Sequence, residues 1–358
     1  MSQRARIVGV GRYLPDRIMT NKDLAQLVET SDQWITERTG IRERRIAADD
    51  ETTSGLATQA ATRALRSAGI DASKIDLIIT GTCTPDGMFP AVSTLVQHAI
   101  GAPDTAAFDV NAACNGFLSA LSAATQFIAT GQSRRALVIG AEITSRIVDW
   151  TDRSTCVLFG DGAGAVVLEA AVEGEPGSVE NLVLHSDGSQ SGVLYATGPC
   201  TPGYALTQEA RVFMNGAAVF KQAVTAMSDA CVEVLSRSGL QADDIDLVVP
   251  HQANSRIITA VAERLGVSSD RVYMNVERYG NTSSATIPIA LAEAAAEGRL
   301  HAGDRVLLTA FGGGLSWGAM TLEWGTILEP TSATMAEPST ARRPAAEVAS
   351  ASTTRGRS

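Results

Sequence analysis

Cys114, His251 and Asn281 are the residues of this 358-residue chain whose types and settings suit nucleophilic acyl chemistry. Cys114 stands in "FDVNAACNGFLSALSAATQFIATG", a stretch with no charge after Asp109. It lies between a strand-like run and a pattern read as a helix from Asn115 to Gly131, with Phe117, Leu121, Ala124 and Ile128 at helical spacing. At such a corner, free backbone N–H groups and the positive end of the helix dipole favour thiolate over thiol, so a lowered pKa is expected. A small buried residue at a tight corner is the competing reading of this stretch taken alone. His251 opens "HQAN" after the strand-like "IDLVVP" and is of the type that passes protons near neutral pH. Asn281, behind Gly280 in "GNTSSAT", carries an amide that can donate to a developing oxyanion without titrating. Each is weak evidence by itself, since a lone His is commonly a packing or capping residue and Asn beside Gly is commonly a turn. Both are read as ending strands. The glycines of "FGGGLSWG" allow backbone N–H groups close to a reacting carbonyl, and no Gly-Lys-Ser/Thr follows, as a phosphate loop requires.

The elements that must position these residues are duplicated. "AGIDASKIDLIITG" from Ala68 reads against "SGLQADDIDLVVPH" from Ser238, "ALVIGAE" from Ala136 against "VLLTAFG" from Val306, and "GAVVLE" from Gly164 against "GAMTLE" from Gly318. Apolar runs without alternation, separated by helical patterns, indicate parallel-rich strands covered by helices on both faces. The expectation is two similar α/β halves, 1–175 and 176–328, packed as one body. The Ala-, Ser-, Thr- and Pro-rich 329–358 lacks any apolar period and is expected to be a disordered tail.

Composition narrows the function classes. With 29 basic and 39 acidic residues the net charge is -10, which disfavours nucleic acid as a partner. The N-terminus shows no signal-peptide layout, and the longest uncharged stretch, 110–133, is polar enough to read as a buried helix; cytoplasmic location without a membrane partner is expected. Five cysteines, odd in number and without a CxxC pair, fit neither a disulfide framework nor a zinc site, and Cys156 and Cys231 read as core packing.

The motifs "AACNGF", "VPHQANSRI", "RYGNTSSAT" and "AFGGGLSWG", in that order, together with "TSDQWITERTGIRERRIA" (30–47), resemble the β-ketoacyl-acyl-carrier-protein synthase III family, initiating condensing enzymes with the thiolase fold. Similarity runs from Ile7 to Trp324. Elongating relatives have a second histidine at the third catalytic position and thiolases a second cysteine; Asn281 here matches the starter enzymes. Departures are Asn115 where alanine is common, Ser154 where glycine is common, and the tail.

The resemblance implies a five-layered α-β-α-β-α body. It implies ping-pong decarboxylative Claisen condensation of an acyl-coenzyme A starter with malonyl-acyl carrier protein, initiating fatty acid synthesis through an acyl-cysteine on Cys114, with no cofactor or metal. His251 and Asn281 would serve the malonyl half, and the N–H groups of Cys114 and Gly313 the oxyanion. Thr30, Trp34, Arg38, Arg153, Phe220 and Asn254 would line the coenzyme A channel. Gln252, Ala253, Asn254, Ser255 and Arg256, with Lys221, would meet the carrier protein. Phe89 would cross a homodimer interface to bound the partner's acyl pocket. Readings held beside this one are a condensing enzyme or acyltransferase of secondary metabolism that primes polyketides, a Cys-His-Asn hydrolase, and an inactive partner subunit, the last disfavoured because Cys114 is present.

The tail reading carries a test. A chain ending near Glu329 is expected to keep its melting temperature and turnover; a large fall in either on truncation would show that the tail docks.

Overall fold

A computed structural model describes residues 3–171, 177–198, 200–201, 204 and 209–327. The tail and the expected boundary near 175 lie outside the described residues. Two mixed sheets organise the remainder. In the first, Arg4–Tyr13 pairs antiparallel with Gly162–Ala171, which pairs antiparallel with Arg135–Glu142; then come Leu77–Gly81 and Ala106–Val110, both parallel. In the second, Val179–Ser186, Ser316–Glu323 and Arg305–Gly312 pair antiparallel in turn, and Leu247–Pro250 runs parallel to the last. The orders match position by position. Each echo seen in the sequence occupies the same place in its sheet, and the fifth place of the second sheet is reduced to a single parallel bridge, Val248 to Val272.

Helices fill the layers. Thr53–Ala68 covers the outer face of the first sheet and Gly216–Ser238 that of the second. Gly116–Ala129 and Thr286–Ala296 lie between the sheets and touch both, which makes the order α-β-α-β-α. Their sequences explain the placement: nearly every residue of both is apolar or small, so neither offers a polar face to water. The central core draws Leu77, Ile79, Phe117 and Leu121 from one half and Leu247, Leu291, Leu308 and Met320 from the other. Neither half can close this core alone.

Glu293 ties the second central helix to the first sheet. It meets Arg12 at 3.2 Å and accepts from Tyr279 and Asn275 at 2.7 and 2.8 Å. At the other helix, Gly81 is what allows close approach, since a Cβ there would sit 2.4 Å from the carbonyl carbon of Gly116. That contact is backbone, so only movement of the helix could relieve it. Gly81→Ala is therefore expected to cost about 1–3 kcal/mol, read as a lowered denaturation midpoint, with loss of turnover because the helix start it displaces adjoins Cys114.

Candidate active site

The chain reverses into each central helix through the same turn. Strand Ala106–Val110 passes through Asn111 and a one-turn 3-10 helix, Ala113–Asn115, into Gly116–Ala129; in the other half Asn281 is followed by Ser283–Ala285 and Thr286–Ala296. Ala113 and Ser283 take matching positive φ of 46° and 51°. Asn111 Oδ1 accepts from Ala113 N–H at 3.3 Å, and Asn281 Oδ1 from Ser283 N–H at 2.8 Å. "NAACNG" and "NTSSAT" are thus two copies of one elbow, 170 residues apart, the offset that separates Ala136 from Val306. The repeat was present in the sequence and was missed. Asn281 accordingly does not end a strand, as expected from sequence; it follows the short helix Val276–Tyr279 and Gly280, held by a bridge to Phe159.

Both elbows open on one cavity of about 1080 Å³, lined by Cys114, His251, Asn281 and Gly313 among others. Gly312 lets the glycine loop abut the first elbow, since its Cβ would lie 2.8 Å from the Cys114 nitrogen. Neither Cys114 N–H nor Gly313 N–H is spent in a turn or loop bond among the described residues. Both are therefore available to an oxyanion at the mouth of the sulfur. With its Oδ1 engaged by Ser283 N–H, Asn281 has Nδ2 left to donate.

His251 follows strand Leu247–Pro250, anchored by its N–H to Thr309 O at 2.7 Å. Burial pushes its imidazole down to about 3, so it is neutral at physiological pH. Nδ1 lies 2.7 Å from Thr286 Oγ1, whose hydroxyl also reaches Ser283 O at 2.9 Å. That carbonyl already accepts Thr286 N–H. When the hydroxyl proton turns to Nδ1 instead of the carbonyl, Nε2–H is the ring's donor.

Cys114 corrects the sequence-based expectation of a lowered pKa. Desolvation pushes its thiol up to about 11, while hydrogen bonds from Ser283 and Asn281 pull the other way. Taking the charged sulfur out of water, with the Glu142 carboxylate nearby, outweighs these hydrogen bonds.

The other sequence candidates divide. Trp34, Arg38, Arg153, Phe220, Ala253, Asn254 and Arg256 line the cavity. The Arg38 and Arg153 guanidiniums both lie 4.8 Å from the Trp34 ring, and Arg256 lies 5.4 Å from that of Phe220. Buried Arg44, overlooked from sequence, holds this wall together: it donates to Met19 O and Asn21 Oδ1 on one side and to Val157 O, behind Arg153, on the other. Thr30 is not among the lining residues, and Phe89 is 85% exposed while its neighbour Met88 lines the cavity. Ser255 packs against Gly40, and Lys221 is exposed outside the cavity. Gln252 is a correction. Its side chain is buried, donating to Pro250 O and Tyr273 O and accepting from Asn275 N–H, so it shapes the segment without offering a surface contact. Cys156 and Cys231 are buried in the core. No cluster of metal-ligating side chains, and no helix long and apolar enough to cross a membrane, occurs among the described residues.

The comparisons agree with this architecture. The 3-oxoacyl-[acyl-carrier-protein (ACP)] synthase III family model matches residues 108–188, and the model of that family's C-terminal part matches 235–324. The beta-ketoacyl-[acyl-carrier-protein] synthase III of Paramagnetospirillum magneticum is 53% identical over 89% of this chain and 98% of its own. The 3-oxoacyl-[acyl-carrier-protein] synthase III structure from Aquifex aeolicus superposes with a TM-score of 0.84 at 48% identity, over 89% of this chain and all of that one. The priming beta-ketosynthase of the R1128 polyketide pathway gives 0.84 at 37% identity, over 90% and 97%.

The raised thiol has a measurable consequence. Alkylation of the Cys114 peptide by iodoacetamide should rise about tenfold per pH unit up to about pH 9, because the thiolate fraction grows with pH below a pKa near 11. A plateau at neutral pH would mean that the helix end prevails over burial. With its duplicated elbows meeting in one cavity, the chain belongs to the beta-ketoacyl-[acyl-carrier-protein] synthase III family of acyl-transferring condensing enzymes.

Proposed function

We propose that this chain performs the starter condensation of fatty acid synthesis by two half reactions in the one cavity. Cys114 attacks an acyl-coenzyme A thioester, the Cys114 and Gly313 N–H groups hold the tetrahedral oxyanion, and coenzyme A leaves. Malonyl-acyl carrier protein then enters. His251 Nε2–H and Asn281 Nδ2–H donate to its thioester carbonyl, stabilising the enolate formed as carbon dioxide departs, and the carbanion attacks the acyl-cysteine to give 3-oxoacyl carrier protein. Electron flow stays within the thioesters, so the reading calls for no metal or redox cofactor. The observation that carries it is the convergence of a half-buried thiol with a neutral imidazole and a fixed amide at the ends of mirrored elements.

The Arg38–Trp34–Arg153 stack suits the nucleotide end of coenzyme A, offering cations to phosphates beside an aromatic face. Arg256 at the mouth, with exposed Lys221 on the adjoining helix, suits an acidic carrier domain, drawn by charge to a locally basic surface. Exposed Phe89 suits a homodimer in which it reaches the partner's pocket. The reading places the enzyme in the cytoplasm. The likeness to the R1128 priming ketosynthase supports a second reading, the same chemistry used to prime polyketides, and the 53% identical relative favours the first.

Loss of one positioned oxyanion donor costs on the order of a hundredfold to a thousandfold in rate. His251→Ala and Asn281→Ala are therefore expected to form the acyl-enzyme yet release carbon dioxide from malonyl carrier protein at rates lower by that factor, while Cys114→Ala is not acylated. Mass spectrometry of the protein and carbon dioxide release read the two steps separately. Variants that decarboxylate normally but fail to acylate would reassign His251 as the thiol's base, as in a hydrolase.

A further inference from the structure

The two donors assigned to the malonyl step take their orientation from a residue that itself has no part in the chemistry. Ser283 stands just after Asn281 and Thr282 in the second elbow and lines the cavity. Its N–H donates to Asn281 Oδ1 at 2.8 Å, which fixes the rotation of the amide and so the direction of Nδ2. Its carbonyl lies 2.9 Å from Thr286 Oγ1, and that same oxygen lies 2.7 Å from His251 Nδ1. Movement of the two peptide groups of Ser283 therefore moves both the amide and the imidazole.

Ser283 has to be held. Its φ of 51° is a left-handed conformation, unfavourable for a residue with a Cβ. Glu142 reaches it from the other half of the chain: at the end of strand Arg135–Glu142, its Oε1 accepts from the Ser283 hydroxyl at 3.1 Å. Glu142 stands behind the cavity wall with no exposure to solvent, and it is itself fixed. It accepts from Thr84 Oγ1 at 2.6 Å, Cys83 N–H at 3.1 Å and Thr82 Oγ1 at 3.3 Å. Ile143 N–H occupies Thr84 Oγ1 as acceptor, and Thr84 N–H occupies Thr82 Oγ1, so both hydroxyls turn their protons to the carboxylate. The carboxylate is thus rigid against the first sheet, and its bond to Ser283 passes that rigidity to the second elbow. The first elbow has no such strut. Ala113 stands at the matching place at φ 46°, and Asn111 Oδ1 meets its N–H at a longer 3.3 Å. That elbow supplies the sulfur, whereas the strut is found where an asparagine has to donate.

We propose that Glu142 is a positioning residue for the malonyl half reaction: through the Ser283 hydroxyl it holds the peptide groups from which Asn281 and His251 take their aim. It touches no reacting atom. With both donors fixed before the enolate forms, no reorganisation is needed as charge builds on the thioester oxygen. Acylation of Cys114 draws instead on the N–H groups of Cys114 and Gly313, which come from the first elbow and the glycine loop, so the two half reactions should respond differently to loss of the strut. The proposal rests on the reading that His251 and Asn281 serve decarboxylation.

The test measures carbon dioxide release from malonyl carrier protein without starter, and single-turnover acylation by an acyl-coenzyme A, in Ser283→Ala, Glu142→Gln and the double variant. Ser283→Ala removes the hydroxyl and keeps the peptide groups, and Ala113 shows that alanine is accommodated at this backbone conformation. In each single variant kcat for decarboxylation should fall at least about tenfold, since misplacement by about an ångström costs up to about a hundredfold. KM for malonyl carrier protein should stay within about threefold of the parent, and acylation should be no slower than about a third of the parent rate. The double variant should be no slower than the slower single, because both changes cut one link. A smaller fall in kcat for Ser283→Ala, a loss that extends to KM or to acylation, or multiplying losses in the double variant would each overturn the proposal. Where Glu142→Gln does not fold, Ser283→Ala decides by the same measurements. Asn281→Ala and His251→Ala run alongside: undiminished decarboxylation in both would refute the reading beneath the proposal, whereas slow decarboxylation in these two with a parent-like rate in Ser283→Ala refutes the proposal alone.

Discussion

The site depends on backbone packed against backbone at the starts of the two central helices. Gly81 and Gly312 have no Cβ, and at 2.4 and 2.8 Å there is room for none. This seats the first elbow between a strand of its own sheet and the glycine loop of the other. Because the matching elbow descends between the same sheets, its asparagine and serine arrive on the far side of one cavity. Ser284, which occupies the place of Cys114 in the second copy, does not face the chemistry at all. Its hydroxyl donates to Gly81 O at 2.7 Å and locks the two helix starts together.

Depth then sets the charge states. The desolvation that lifts the Cys114 thiol to about 11 also holds His251 neutral and raises the Glu142 carboxyl. A neutral imidazole has a single N–H to aim, and Thr286 decides where it points. A cationic imidazole would bind an anionic malonyl group in its ground state as well as the enolate that follows, and so gain less in rate. A neutral donor discriminates by fit to the oxyanion.

Much of this was legible in the sequence because duplication leaves apolar strands in register. The runs at Ile75 and Ile245, Ala136 and Val306, and Gly164 and Gly318 are buried strands whose composition is fixed by the layers on both sides, so their likeness survives divergence. The elbows were harder to see. Only Asn111 and Asn281 keep their identity across "NAACNG" and "NTSSAT", because a positive φ and a bond from Asn Oδ1 to a backbone N–H leave the other side chains free to change. The expected lowering of the Cys114 pKa failed for another reason: a helix end is visible as a pattern, whereas the degree of burial around it comes from both sheets and the opposing elbow. Gln252 and Glu142 were misread or passed over alike. A polar residue beside a motif looks like surface until the structure shows that its hydrogen bonds are all internal.

The asymmetry of the elbows explains why the halves remain one body. A thiol at the first helix start has only alanine at the preceding position, so its own elbow offers it backbone N–H groups and no hydroxyl. The second half carries the hydroxyl, the amide and the imidazole, yet has serine where the sulfur would be. Glu142 ties the first sheet to the second elbow by accepting from the Ser283 hydroxyl. Each half has kept what the other lacks. A substitution that loosened the central core would therefore separate the nucleophile from its donors before it exposed either sheet, and activity should be lost at a milder perturbation than secondary structure.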